Sequence, residues 1–316
     1  MKRHPLWAGA LSAALFLTAG CGIANAHSSS HRTPSHTITL VDDLHHTVVL
    51  KKPATRIIAL EPSNAEIVLD LGLKPHLIGV DNSTLQYIPA PWRQQIRGVK
   101  SIGPSYPGIN VEEVVAAKPD LVIAGQGIKG VNEGPNELAK FHIPVLNLEP
   151  TTLSGMYHDI LLVGRATGRE TQARRVVARL QRQFNQIETA VKKVKSKPTV
   201  FYDLGGYTTG PNTFLNALID EAGAKNVGAT LFKNQWPLWT AEQVVHANPD
   251  VILIDKGTTT VAKEDAIAGF SATRAVRRGR VLVVPQPSYT EEPSPALVMG
   301  LKELFKLLHP HVKVGD

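Results

Sequence analysis

The sequence predicts an α/β protein of two lobes, each with a parallel β-sheet flanked by helices, joined by one long rigid helix. Three observations carry this. One phrase is written twice: "VEEVVAAKPDLVIAG" at 111–125 and "AEQVVHANPDVILIDKG" at 241–257, each reading as a short helix, a Pro-Asp turn and a strand. Runs such as "RIIAL" (56–60) and "PTVFYDL" (198–204) are apolar without alternation, as strands buried on both faces are. Between the two halves, Val176, Val177, Leu180, Phe184, Ile187, Val191 and Val194 fall three or four apart, the apolar stripe of a helix. With 316 residues, 43% of them hydrophobic, the chain can bury one large core or two ordinary ones.

The first segment, 1–20, reads as an export signal. Lys2 and Arg3 precede an apolar run at 6–19, shorter than the ~20 residues of a spanning helix. "TAGC", ending at Cys21, resembles the lipobox of bacterial lipoproteins, in which the cysteine becomes the lipidated first residue. "ANA" (24–26) instead fits ordinary cleavage after Ala26, which would leave the protein periplasmic. Cys21 is the only cysteine. It cannot form an internal disulfide, and lipidation accounts for an otherwise unpaired exported thiol. The expected location is therefore extracytoplasmic, lipid-anchored to the cell membrane. Residues 21–36, with "HSSSHRTPSH", form a polar tether whose histidines have no tight spacing.

The N-terminal lobe is expected over 37–152. "TITLVDDLHHTVVL" (37–50) reads as two short strands around an Asp-rich turn, and "RIIAL" as a parallel strand. Ser63 and Glu66 have the spacing of a capping box, predicting a helix from about Asn64 to Gly72. "HLIGV" is a strand, a loop bearing Tyr87 and Trp92 follows, and after the phrase "IPVLNLEP" (143–150) closes the lobe. Connecting helices occupy 153–197: "LSGMYHDILLVGRA", stopped at Gly168, then the long helix at 169–195, about 40 Å by its rise per residue. The long helix turns Arg174, Arg175, Arg179, Arg182, Lys192 and Lys193 to solvent. The C-terminal lobe, 198–316, repeats the grammar with "PTVFYDL", the helix "NTFLNALIDEAGA", the second phrase, "RVLVVPQP" (280–287) and a final helix.

Composition narrows the function classes. A net charge of +7, with 19% charged and 6% aromatic residues, is no nucleic-acid signature. The best enzyme reading is a dinucleotide site, since Gly125, Gly127 and Gly130 fit G-x-G-x-x-G after a strand and Glu149 lies 19 residues beyond the last glycine. That chemistry needs a helix to begin at the glycines so that its N-terminus meets the pyrophosphate, and "VNEGP" postpones one. No G-x-S-x-G or H-E-x-x-H occurs, and His45 and His46 fall in the hairpin. His76, His142, His158 and His246 read as packed or surface histidines, although a direct zinc or manganese site remains an alternative.

Two lobes on one rigid helix behind an export signal resemble the substrate-binding proteins of ABC importers that capture iron(III)-siderophores, haem or cobalamin. "RIIALEPSNAEIVLDLGL", "GINVEEVVAAKPDLVIAG", the long helix and "WPLWTAEQVVHANPDVILI" carry the resemblance, over about residues 40–310. It implies a monomer without catalysis or cofactor, a small-molecule chelate as ligand and an ABC permease dimer as partner. Ligands of open parallel sheets sit at the carboxyl ends of the strands. In the loops at 61–64, 81–92, 126–132, 205–209 and 286–291 that selects Ser63, Asn64, Tyr87, Trp92, Gln126, Tyr207 and Tyr289 as ligand-binding candidates, and the loop before the second phrase adds Trp236 and Trp239. The selected loops hold no arginine, and Lys129 and Lys256 are their cations. This favours a neutral or weakly charged ligand, cobalamin or a hydroxamate siderophore, over a carboxylate-rich one. Haem would draw an axial ligand from Tyr87, Tyr207 or Tyr289. Glu112 and Glu242, second in each copy of the phrase, suit a helix N-terminus. The resemblance implies a further role, docking to arginines on the two permease subunits.

Overall fold

The computed structural model describes residues 37–125, 127–134, 136–290 and 293–315. The signal segment, the tether, Cys21 and Gln126 lie outside the described residues. β1 (Ile38–Val41) pairs antiparallel with β2 (Thr47–Leu50), as expected. Asp42 ties the turn, its carboxylate accepting from the N–H groups of Leu44 and His46.

The first lobe contains β3 (Ile57–Ala59), β4 (Leu77–Val80), β5 (Lys100–Ser101), β6 (Leu121–Ala124) and β7 (Val145–Asn147), all parallel, in the order β5-β4-β3-β6-β7. The second contains β8 (Thr199–Asp203), β9 (Lys225–Asn226), β10 (Val251–Asp255) and β11 (Val281–Val284), also parallel, in the order β11-β10-β8-β9. Every residue of β3, β6 and β10 is buried, which is why these runs lack alternation. In both sheets the first strand of the lobe lies inside the sheet, with the chain leaving to either side of it. The ends of β3 and β8 are thus the switch points where a crevice forms.

The doubled phrase folds the same way twice. Asn110 caps the helix Val111–Ala117 by accepting from Glu113 N–H, and Thr240 with Gln243 forms a capping box on Ala241–Ala247. Lys118 and Asn248 end the two helices in the left-handed region, at φ 50° and 48°. The aspartate of each turn then clamps the first strand of its lobe. Asp120 accepts from the N–H groups of Thr55 and Arg56, and Asp250 accepts from the N–H and hydroxyl of Thr199.

The long helix spans Glu170–Val191, ending four residues before the expected limit. Its buried face is Ala173, Val176, Val177, Leu180, Phe184, Ile187 and Ala190, while Val194 lies past its end. It packs on the preceding helix, Leu153–Ala166, at Gly164. A Cβ there would sit 2.5 Å from the Ala173 methyl, so only glycine permits this approach. One core joins the hairpin, the inner sheet faces, both connecting helices and the last helix, Leu297–Leu308. Each lobe covers the other sheet face with a cluster of its own. On the solvent side of the long helix, Arg174 and Lys192 pair with Glu170 and Glu188 four residues before them.

Two local expectations are corrected. The helix of the first switch point is Pro62–Asp70, with Glu61 at the cap and no side-chain cap bond. Pro62 takes the first helical position, where its missing N–H costs nothing, so Ser63 falls inside the helix. Glu66 reaches instead to the N–H of Ala296, 3.0 Å away on the other lobe. The segment with Tyr87 and Trp92 is not a loop but two short helices, Asn82–Tyr87 and Ala90–Arg93, the first capped by Asp81.

Candidate ligand-binding cleft

Glu61, the first residue beyond the β3 run, faces the gap between the lobes. Its backbone is held at φ 75° and ψ 146°, a region natural to glycine alone. Two contacts keep it there. Its N–H donates to Asp81 Oδ1 at 3.1 Å, and its carboxylate lies on the backbone of Gly125, where a Cβ would come within 1.6 Å of Oε2. Asp81 is itself fully buried, collecting the hydroxyls of Ser83, Thr84 and Ser105.

A cavity of ≈ 310 Å³ opens beside Glu61 and takes walls from both lobes. From the first lobe come Ser63 and Asn64, then Leu148 to Thr151 beyond β7. Asn64 donates its amide to Leu60 O at 2.8 Å, which fixes the turn. From the second come Asn212 to Phe214, at the start of the helix Phe214–Glu221, with Gln235, Trp236 and Pro293. Gln235 Nε2 donates to Asn212 O at 3.0 Å, joining the two C-lobe segments. Asp159, from the connecting helix, reaches the floor. Burial foremost, and then the neighbouring Asp43 carboxylate, push its carboxyl up to about 8. Burial, with Asp43 and Asp42, also raises Glu149 above the usual carboxylate range.

The sequence-selected residues separate into groups. Ser63, Asn64 and Trp236 line the cavity, with Trp236 half-exposed at its rim. Tyr207 is half-exposed, bridged to Leu238 through its backbone, and Tyr87 is exposed at a helix end. Neither tyrosine contributes to the cavity wall. Trp92 is a core residue: it is buried, and its Nε1 donates to Asp70 at 2.9 Å. Trp239 packs edge-on against Phe201, 5.3 Å between ring centres, and its Nε1 donates to Asp203 at 2.9 Å. Tyr289 is buried in the core that links the lobes. The aromatic nearest in kind that the sequence reading missed is Phe214, which lies beyond the selected 205–209 loop. It also missed Asp159, whose signal was available: one acid in the apolar stretch "HDILLV" of a helix. Glu112 and Glu242 are exposed in the first turns of their helices. The glycines at 125–130 are followed by turns up to a 3₁₀ turn at Glu137–Phe141, so no helix N-terminus faces them among the described residues.

Two parallel-sheet lobes on a connecting helix, with a cleft walled by both, match a known architecture. The sequence pattern of the periplasmic binding proteins covers residues 57–287. The chain belongs to the periplasmic binding protein family. It is 30% identical to the ABC transporter substrate-binding lipoprotein YvrC of Bacillus subtilis, over 98% of both chains. It is 28% identical to a cobalamin-binding protein of Halobacterium salinarum, over 90% of this chain and 77% of that one. Among solved structures, an ABC-type Fe3+-hydroxamate transport protein of Saccharomonospora viridis superposes with a TM-score of 0.68 at 25% identity, covering 85% of this chain and 98% of that one. Homologues of this kind are substrate-binding transport proteins.

Proposed function

We propose that this chain captures cobalamin or a hydroxamate iron chelate outside the cytoplasm and delivers it to an ABC importer. The cleft supports this reading most directly. It offers aromatic and proline surface from Trp236, Phe214, Pro150 and Pro293, with side-chain amides from Asn64, Asn212 and Gln235. Flat apolar walls with a few polar anchors suit a large ring-bearing or cyclic ligand. The cobalamin-binding relative and the hydroxamate-transport structure share this scaffold.

Delivery rests on Glu112 and Glu242. Each stands exposed on the first turn of an equivalent helix, one per lobe, and so offers a two-fold permease two matched carboxylates. Anchoring rests on Cys21: two or more acyl chains hold a protein at a membrane, where a single chain binds only reversibly. Binding is tested by titrating the purified protein with cyanocobalamin and with ferrioxamine B, following tryptophan fluorescence and stoichiometry by native mass spectrometry. One ligand per chain, with quenching lost in Trp236→Ala, is the expected result. Conversion of either compound to a product would return the chain to the enzymes.

A further inference from the structure

The cleft is acidic in a basic protein. The chain carries a net +7, yet the cavity lining includes Glu61, Glu149 and Asp159, and no lysine, arginine or histidine among the described residues. Asp159 is the deepest of the three. It is fully buried, and apart from the proton it shares with the Asp43 carboxyl neither of its side-chain oxygens meets a hydrogen-bond donor among the described residues. Its charged neighbour is another carboxyl, Asp43 on the β1–β2 turn. Around it the same helix buries Met156, Ile160, Leu162 and Val163. Burial of such a carboxyl costs stability, and one proton shared with Asp43 leaves further lone pairs without a donor. At the wall of a cavity shared by both lobes, such a carboxyl keeps lone pairs that a donor from outside the chain can meet.

Building on the chelate-capture reading, we propose that Asp159 is the anchor for an N–H donor of the ligand, a peripheral carboxamide or a pendant ammonium, and that the acidic floor excludes anionic chelates. Hydrogen bonds to an ionised or proton-sharing carboxyl inside a cavity are stronger than neutral ones. Below about pH 8 Asp159 is mostly protonated, and the negative field over the floor comes from Glu61 and Glu149. An incoming carboxylate or catecholate meets like charge with no cation in the lining to offset it, and discrimination by repulsion is as effective as discrimination by attraction. Glu61 adds rigidity, since its glycine-like backbone is locked by Asp81 and Gly125.

Isothermal titration of the full chain with four probes tests this. Cyanocobalamin presents carboxamides, ferrioxamine B an ammonium, ferric enterobactin a trianionic surface, and the monoacid of cyanocobalamin one propionamide hydrolysed to carboxylate. Cyanocobalamin or ferrioxamine B should bind, and ferric enterobactin should bind at least about 100-fold more weakly. Asp159→Leu should weaken the bound probe at least about tenfold while raising the Tm, because the leucine removes a buried acid set against a second carboxyl. A residue with a structural role would lower both. Asp159→Asn separates the two donors: it should keep most of the affinity for a carboxamide and lose that for an ammonium. Should the leucine variant not fold, cyanocobalamin against its monoacid on the unaltered protein reads the same floor, with the monoacid expected to be the weaker. Unchanged affinity in Asp159→Leu, or ferric enterobactin bound as tightly as the others, overturns the anchor and leaves chelate capture standing. Binding of none of the four overturns both.

Discussion

The two lobes use one phrase for one purpose and then diverge. Asp120 and Asp250 each hold the start of their lobe's first strand, through Thr55 with Arg56 and through Thr199. Lys118 and Asn248 turn the chain at nearly the same φ. Each half also sets a buried carboxyl against a neighbouring one, Asp159 of the connecting helix against the partly exposed Asp43, and Glu264 against the buried Asp203. Here the likeness ends. Asp159 is part of the cavity wall, whereas Glu264 lies outside it beside Asp203, which accepts from Gly206 N–H and the Trp239 indole. The first lobe brings acids to the cleft, and the second brings Phe214, Trp236 and amides. The repeated part of the chain is therefore scaffold, with one exposed glutamate on each copy. The described lining of the cavity comes from outside the repeated phrase, so each lobe presents a different face to it.

The sharpest test of the repeated part is to remove both glutamates. Glu112→Ala with Glu242→Ala should abolish uptake through the cognate importer while ligand affinity, by titration, stays unchanged, because rim charges act on docking. A single variant should retain part of the uptake. Equal uptake by double variant and parent would return both residues to a helix-end role.

Next in size is the contrast between two tryptophans three residues apart. Trp239→Ala should destabilise the protein by about 2–4 kcal/mol in denaturant titration, because it empties the contact with Phe201 and leaves Asp203 without the indole donor. Trp236→Ala should leave stability alone and weaken ligand binding by about 1–3 kcal/mol. An exchange of these effects would place the cleft on the wrong side of the second phrase.

The aspartate clamps give a smaller and more equal effect. Asp120→Ala and Asp250→Ala should each cost about 1–3 kcal/mol by leaving strand-end donors unpaired. Asp250 has a pH signature as well. Burial pushes its carboxyl up, but the Thr199 hydrogen bonds, Arg274 and Arg278 together hold it below its usual value of 3.8. The stability it supplies is thus present above that value and is lost as the pH falls through the lowered one. Asp250→Ala should consequently flatten the acid limb of the unfolding curve.

Smallest is the opposite tilt from Glu264. Burial first, then Asp203 and Asp265, raise it to about 7 from 4.5. Between those values the folded protein holds a proton that the unfolded chain has released, so stability falls as the pH rises across that window. Glu264→Gln should leave Tm unchanged near the bottom of the window and raise it by about 2–4 °C above the top. An equal gain at both ends would show that the substituted amide acts through packing instead.

Much of the scaffold was legible before any coordinates. Buried parallel strands announce themselves as unbroken apolar runs, and a Pro-Asp turn after a short helix is a local signal that survives in any context. The stripe of the long helix was readable for the same reason, except at its end, where Val194 kept the spacing after the helix had stopped. The site was legible only in part. Ser63 and Asn64, which line the cavity, were reachable from the rule that ligands lie beyond strand ends, and Trp236 from the aromatic loop before the second phrase. Trp92 and Trp239 offered the same letters and a similar setting. Which way an indole points was decided by Asp70 and Asp203, acids from elsewhere in the chain.

Chain order alone thus determined the two lobes, the strands within them, the helix that joins them and the placing of one exposed glutamate on each, since all of these depend on neighbours within a few residues. The tertiary structure decided the rest. Pro62 displaced the expected capping box and sent Glu66 to Ala296 on the opposite lobe, 230 residues away. Asp159 reads in the sequence as one acid in an apolar helix, and only packing sets it beside Asp43 at the floor of a cavity. The physical reason is the same in each case: the meaning of a buried polar group depends on what stands opposite it, and here that partner comes from a distant part of the chain.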